Sequence, residues 1–164
     1  MMQSSYVGQR HYLDVVRFHL QEQRWSMALN SALQGLTQYP NSQHLYKQAV
    51  IVARYDEGEA ELHNLLNRFP EHTKALLVKS FICTMNQQFQ TAWSVLETAR
   101  LYGESSQFFW DLREEVSHQL SSEIQWQYLT EGFLAFPDEP SWLEKLEDTA
   151  RTEVELEELR LLKQ

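Results

Sequence analysis

The chain has 164 residues, the length of a single domain that can bury a sizeable core. Its residues are 43% hydrophobic and 12% aromatic, with only five glycines and four prolines, which excludes disordered, linker-like and collagen-like chains. The formal net charge of −9 argues against a nucleic-acid-binding protein, because such proteins need a basic surface. Composition therefore favours a soluble globular protein.

Cys83 is the only cysteine, so an intrachain disulfide is excluded and a reducing compartment is expected. The N-terminal segment contains no apolar run and cleavage site of the signal-peptide type. No window approaches the ~18 uninterrupted apolar residues of a membrane span. We therefore expect a cytoplasmic protein that does not insert into a membrane.

Charge is distributed unevenly along the chain. Residues 1–102 hold nine basic and eight acidic residues, whereas residues 103–164 hold five basic and fifteen acidic ones. Nine of these acids lie between Asp138 and Glu158. A solvated helix face is the first interpretation of this run, and a binding site for a basic partner is the alternative.

Apolar residues recur with helical spacing along the chain, and no segment requires a strand. The first helix shows it at Tyr12, Val15 and Val16, and the pattern continues into the second helix after a tight turn at 22–24. Similar pairs of helices follow, with another tight turn at 86–88. The sequence therefore predicts an all-α protein made of helix pairs.

Three proline turns mark a repeat. Tyr39-Pro40-Asn41, Phe69-Pro70-Glu71 and Phe136-Pro137-Asp138 each join an aromatic residue, a proline and a polar residue. The first two are 30 residues apart and the third lies 67 residues further on, which is two steps of about 33. The turn missing from this series falls near residue 104, where Gly103 takes the place of proline as a helix stop.

This unit resembles the tetratricopeptide repeat, a helix-turn-helix of about 34 residues. In the first unit, the residues at family positions that favour an aromatic, Ala, an apolar residue, Ala and Pro are Trp25, Ala28, Ala32, Gly35 and Pro40. The first-helix anchors recur with a nearly constant spacing of about 33 residues and are Tyr12, Leu45, Leu76, Phe109 and Trp142. The fourth unit departs from the family pattern at Arg113 and Gln125, where small residues are expected.

The resemblance implies a right-handed α-solenoid of about four TPR-like helix-turn-helix repeats plus a C-terminal capping helix. We expect a single domain over 1–164, with repeats at about 9–41, 42–72, 73–105 and 106–138 and the capping helix at 139–164. A related helical-pair solenoid and a globular helical bundle are the alternatives. After Thr152 the last helix either completes the cap or projects to form a homodimer or to bind a basic partner.

Residues that carry catalytic or metal chemistry are not grouped in this sequence. The six histidines form no His-x3-His pair, and Cys83 has no second ligand at metal-binding spacing. No phosphate-binding glycine loop or nucleophile elbow is present. We therefore expect no cofactor, no metal and no enzymatic activity, with a small all-α enzyme as the least favoured alternative.

In the tetratricopeptide family, partners bind in a concave groove lined by the first helix of each repeat. Carried over by position, the candidate groove residues are Arg10, Leu13, Arg17, Tyr46, Lys74, Leu77, Phe81, Trp110 and Glu114. This lining suits a helical or extended protein or peptide segment with apolar anchors. The resemblance thus implies a non-catalytic adaptor or assembly factor, and a cytosolic chaperone for a secreted or assembled subunit is the alternative.

Overall fold

A computed structural model describes residues 2–164, with side chains from residue 8 onward, and this part of the chain holds ten helices and no strand. The helices are α1 (Met2–Gln21), α2 (Trp25–Gln38), α3 (Gln43–Ala53), α4 (Asp56–Arg68), α5 (Thr73–Met85), α6 (Phe89–Leu101), α7 (Gln107–His118), α8 (Ser122–Ala135), α9 (Pro140–Thr149) and α10 (Glu153–Leu162). The all-α prediction is confirmed. The residues form two compact units, unit 1 (Met1–Leu112) and unit 2 (Arg113–Gln164), and each is described by itself.

The three proline turns share one backbone geometry. Tyr39, Phe69 and Phe136 end α2, α4 and α8 with φ between −124° and −132° and ψ between 64° and 72°. In each turn the backbone N–H of the aromatic residue donates to the carbonyl four residues earlier, at 2.8–2.9 Å. A three-residue motif in the sequence thus specifies the same helix end each time.

The two predicted tight turns also match each other. Gln23 and Gln87 adopt positive φ of 57° and 60°, in the left-handed conformation that commonly ends a helix. In each turn the next amide, of Arg24 or Gln88, donates to a carbonyl five residues earlier at 2.8 Å. The turn between α3 and α4 is shorter, and Gly58 is required there because a Cβ would collide with the Val52 carbonyl.

The helices that follow the long turns of unit 1 begin with a side-chain cap. Ser42 and Ser106 hydroxyls accept from backbone amides three residues later at 3.4 Å, and His72 Nδ1 accepts from the Ala75 amide at 3.2 Å. By contrast, no side-chain hydrogen bond caps the start of α2, α4 or α6. The helices α3, α5 and α7 therefore begin with a side-chain hydrogen bond to a free backbone amide, whereas α2, α4 and α6 begin without one.

The core of unit 1 lies between consecutive helices: α1 packs on α2, α2 on α3, and α5 on α6. Small residues stand where helices approach closely; those with no exposed surface include Ala28, Ala32, Ala92 and Ala99. Of the predicted anchors in this unit, Leu45, Leu76 and Phe109 are buried and Tyr12 is half-buried. Close packing at these alanines leaves little room for a larger side chain.

In unit 2, α8 packs against α9 through Gly132 and the ring of Trp142. A Cβ at Gly132 would collide with that ring, so glycine permits the aromatic anchor to reach the helix backbone. Arg113 has no exposed surface and pairs with Glu131. This unit therefore buries a charged side chain, Arg113, and packs a large aromatic ring against a glycine.

The predicted single C-terminal helix over 139–164 is wrong, because the chain forms two helices there, α9 and α10. Ala150 leaves the helical conformation with ψ of 123°, and Thr152 then caps α10 in a capping box with Glu155. Leu159 is buried, and Trp126 Nε1 donates to Glu158 at 2.6 Å. The second half of this segment is therefore held within unit 2.

Within residues 2–164, no helix combines the length and the apolar character that crossing a bilayer demands.

Candidate binding surfaces

The first-helix residues Arg10, Leu13 and Arg17 lie three and four residues apart on α1, so they share one helix face. Both arginines are exposed and Leu13 is half-buried. Neither guanidinium forms an ion pair with any residue that the structure describes. We call these three residues the α1 stripe, and it is an accessible cationic surface.

Tyr46 does not lie on an open surface. Its side chain is fully buried, its hydroxyl donates to the Pro40 carbonyl at 3.0 Å, and its ring stacks on Phe108 with centroids 3.7 Å apart. Phe81 meets the edge of the same Phe108 ring at 5.8 Å. The structure thus brings two predicted groove residues together around a third aromatic that the sequence did not single out.

Lys74 is also engaged within unit 1. Its ammonium donates to both carboxylate oxygens of Glu104 at 3.0 Å, and the Ser106 amide donates to the same carboxylate at 3.1 Å. Burial disfavours the charged carboxylate, yet hydrogen bonds from Ser106 and Lys74 outweigh it and lower the pKa of Glu104. Burial and the nearby Glu104 charge raise the pKa of the Tyr46 hydroxyl. The middle of the predicted groove is therefore filled by residues 104–108.

The remaining predicted residues differ in access. Leu77 is fully buried and Trp110 is 6% exposed, so both serve packing. Glu114 is half-buried, with Lys145 Nζ at 3.7 Å and His118 Nε2 at 3.9 Å. These three positions therefore expose little apolar surface, and their role in a partner groove stays a prediction.

A second surface lies at the turns that join α1 to α2 and α3 to α4. The Trp25 and Tyr55 rings stack with centroids 4.1 Å apart, and the Arg24 guanidinium lies 5.9 Å from the centre of the Phe18 ring. Phe18 is 52% exposed, Tyr55 49% and Ile51 45%. We call Phe18, Arg24, Trp25, Ile51 and Tyr55 the aromatic edge.

Metal-ligating groups and the single thiol are the next features of this part of the chain. Residues 8–164 hold no group of three side chains suited to bind a metal ion. Burial raises the pKa of the Cys83 thiol, an effect that Lys79 only partly opposes, so the thiolate needed for nucleophilic attack is disfavoured.

Comparison of the chain with family models, with curated proteins and with solved structures finds no match. The resemblance to tetratricopeptide repeats stays a prediction that rests on the residues quoted above.

Proposed function

We propose that this protein is a non-catalytic interaction module, an adaptor or assembly factor, built from TPR-like helix pairs of a right-handed α-solenoid. Recurrence of one turn geometry at Tyr39, Phe69 and Phe136 supports the repeat interpretation. So do the side-chain caps on α3, α5 and α7, which are three of the predicted first helices.

The aromatic edge is the observation that carries the proposal. Aromatic side chains and arginine are enriched at protein interfaces, because they bury much area at low entropic cost. Single exposed apolar residues are ordinary, but here two stacked rings, a third ring under an arginine and Ile51 occur at neighbouring turns. This surface has the composition of a binding site.

The α1 stripe specifies the partner's chemistry. Arg17 directly precedes Phe18 in α1, so an exposed cation adjoins the aromatic edge in sequence. A partner segment that carries acidic side chains beside apolar or aromatic ones would satisfy both surfaces. We therefore expect binding to weaken as salt is raised, since exposed charge pairs are screened.

Site-specific photocrosslinking tests this proposal. A photoreactive phenylalanine analogue is placed at Tyr55 and, as the matched control, at Leu101, which is 75% exposed in the same unit. In cells of the source organism, position 55 should yield a discrete adduct whose partner purified protein then binds in vitro. Phe18→Ser and Arg17→Gln should each weaken that binding, whereas Leu101→Ser should not.

The proposal is wrong if positions 55 and 101 give the same adducts, or if the purified partner binds the Phe18→Ser variant as tightly as the parent. Far-UV circular dichroism of each variant checks that its helices are retained. Tyr46→Ala and Trp110→Ala are unsuitable for this purpose, because both side chains are buried and their loss would destabilise the fold.

A further inference from the structure

A half-enclosed cavity of about 380 Å³ opens between α4 and α5, beside the end of α3. Its floor is apolar and buried, formed by Ala53, Leu62 and Cys83, with Leu66 and Ile82 half-buried along the sides. Its size falls within the range of small-molecule sites, which are mostly apolar with a few polar groups. The cavity belongs to neither the α1 stripe nor the aromatic edge.

The rim of the cavity carries two exposed cations, Arg54 and Lys79, and one exposed acid, Glu59. The exposed His63 side chain also lines it. Arg54 and Lys79 form no ion pair with the residues that the structure describes. These two cations stand over an apolar floor and give the rim a local positive charge.

A second cavity of about 320 Å³ lies between α4, α5 and α6 and shares Leu66 and Lys79 with the first. Its walls combine the apolar Leu76, Pro70 and Val95 with polar residues, which are Asn67, Thr91, Ser94 and Thr98. The shared lysine therefore stands between the mainly apolar first cavity and a more polar second one.

We propose that the α4–α5 cavity binds a small amphipathic carboxylic acid. The carboxylate lies at the rim between Arg54 and Lys79, and the apolar tail covers Leu62, Ile82 and Cys83. A ligand with one anionic end fits the separation of rim cations from the buried floor, whereas a ligand charged at both ends would leave one charge on apolar side chains. The inference does not depend on the proposed protein partner.

The single thiol provides a direct measurement. Cys83 is the only cysteine and lies 7% exposed in the cavity floor, so intact-mass analysis of its modification by methyl methanethiosulfonate at pH 8.5 reports access to this site. Octanoate is the probe. At about ten times its Kd we expect the rate to fall about tenfold, because the reagent needs the ligand-free cavity.

Charge and tail are tested separately. Octanol and octylamine share the tail without the carboxylate, and both should protect Cys83 far less than octanoate. Lys79→Gln and Arg54→Gln should each raise the apparent Kd of octanoate by about two- to fivefold, as expected for exposed ion pairs. Lys47→Gln removes an exposed lysine from α3 outside the cavity and should leave the Kd unchanged.

Because Lys79 itself influences the Cys83 pKa, each variant is compared with and without octanoate instead of with the parent rate. Far-UV circular dichroism excludes unfolding by the probe. The proposal is overturned if millimolar octanoate gives no saturable protection, or if octanol protects equally. It is also overturned if an acetylated dileucine with a free carboxylate protects Cys83 and octanoate does not, since the occupant is then a peptide terminus.

Discussion

Unit 1 and unit 2 fill one position of the predicted repeat in different ways. The eighth position of the predicted repeats, which recurs about every 33 residues, is Val16, Ala49 and Ser80 in unit 1 and Arg113 in unit 2. All four have no exposed surface. Periodicity thus decides that this position is buried, whatever side chain it carries.

What differs is the compensation that each side chain requires. Val16 and Ala49 need none, and the Ser80 hydroxyl donates to the Ala92 carbonyl at 3.3 Å. Arg113 pairs with the half-buried carboxylate of Glu131 on α8, which also accepts a hydrogen bond from Gln127 at 2.9 Å. The comparison teaches that a repeat tolerates an unusual residue when a neighbouring helix supplies its partner.

The largest effect is expected from Glu131→Ala, which removes the carboxylate that pairs with the fully buried Arg113 guanidinium. We expect the free energy of unfolding of the intact chain to fall by about 3–5 kcal/mol, measured by urea denaturation. Glu144→Ala, at an exposed acid in the same unit, should change it by less than about 0.5 kcal/mol.

A double variant, Arg113→Met with Glu131→Leu, should recover most of that loss, because the charges are removed together. If Glu131→Ala is as stable as the parent, the buried pair does not compensate Arg113 and the contrast between the units fails.

Ala49→Leu tests the opposite side of the comparison, the demand for small volume in unit 1. Three added carbon atoms must enter a position with no exposed surface, so we expect a loss of about 1–3 kcal/mol in the same denaturation experiment. Ala60→Leu, at an exposed alanine of α4, is the matched control and should be close to neutral. Equal effects at both positions would show that volume is not the constraint.

The smallest expected loss of stability comes from removing a helix cap, and it compares the His72 cap of α5 with the Ser42 cap of α3. Burial lowers the pKa of His72, whose Nδ1 caps α5, while Lys74 adds to the shift and Glu71 opposes it. Near pH 6, His72 therefore binds more protons in the unfolded chain than in the folded one. The cap stabilises the folded protein fully above pH ~6.5, and this stabilisation is lost as the pH falls through the folded-state pKa of His72. His72→Ala should cost about 1 kcal/mol at pH 7.5.

His72→Asn keeps a side-chain acceptor that does not titrate, so it should flatten this part of the pH dependence between pH 7.5 and 5.5. Ser42→Ala removes the cap of α3 and should cost a similar amount at both pH values. A parent and a His72→Asn variant with the same pH dependence would contradict the role of the imidazole.

Much of the fold could be read from local patterns. The turns at Tyr39, Phe69 and Phe136 and the tight turns at Gln23 and Gln87 lie where the sequence placed them, because aromatic-proline and polar turn residues act through nearby backbone. The break at 150–152 was missed, since apolar spacing continued across it and only the Thr152–Glu155 capping box marks a new helix start.

The candidate site was less predictable. Carrying family positions onto the chain selected Tyr46 and Leu77 as groove residues, yet whether such positions are open depends on what packs over them. Phe108 reaches Tyr46 from a distant part of the sequence, and no local pattern encodes that contact. The aromatic edge was missed for the same reason, because Trp25 at the start of α2 meets Tyr55 in the α3–α4 turn only when α2 packs against α3 and α4.

Sequence alone determined the helical content, most of the turn positions and many core residues such as Leu45 and Phe109, because helix periodicity and turn chemistry act over a few residues. Tertiary structure alone decided which cations are paired within the protein, which aromatic rings stay exposed and where helices leave a cavity. Lys74 and Lys79 lie on the same helix, yet one is bound by Glu104 and the other lines a cavity rim. Their different roles follow from the side chains that pack beside each turn of α5. Those side chains come from distant parts of the chain.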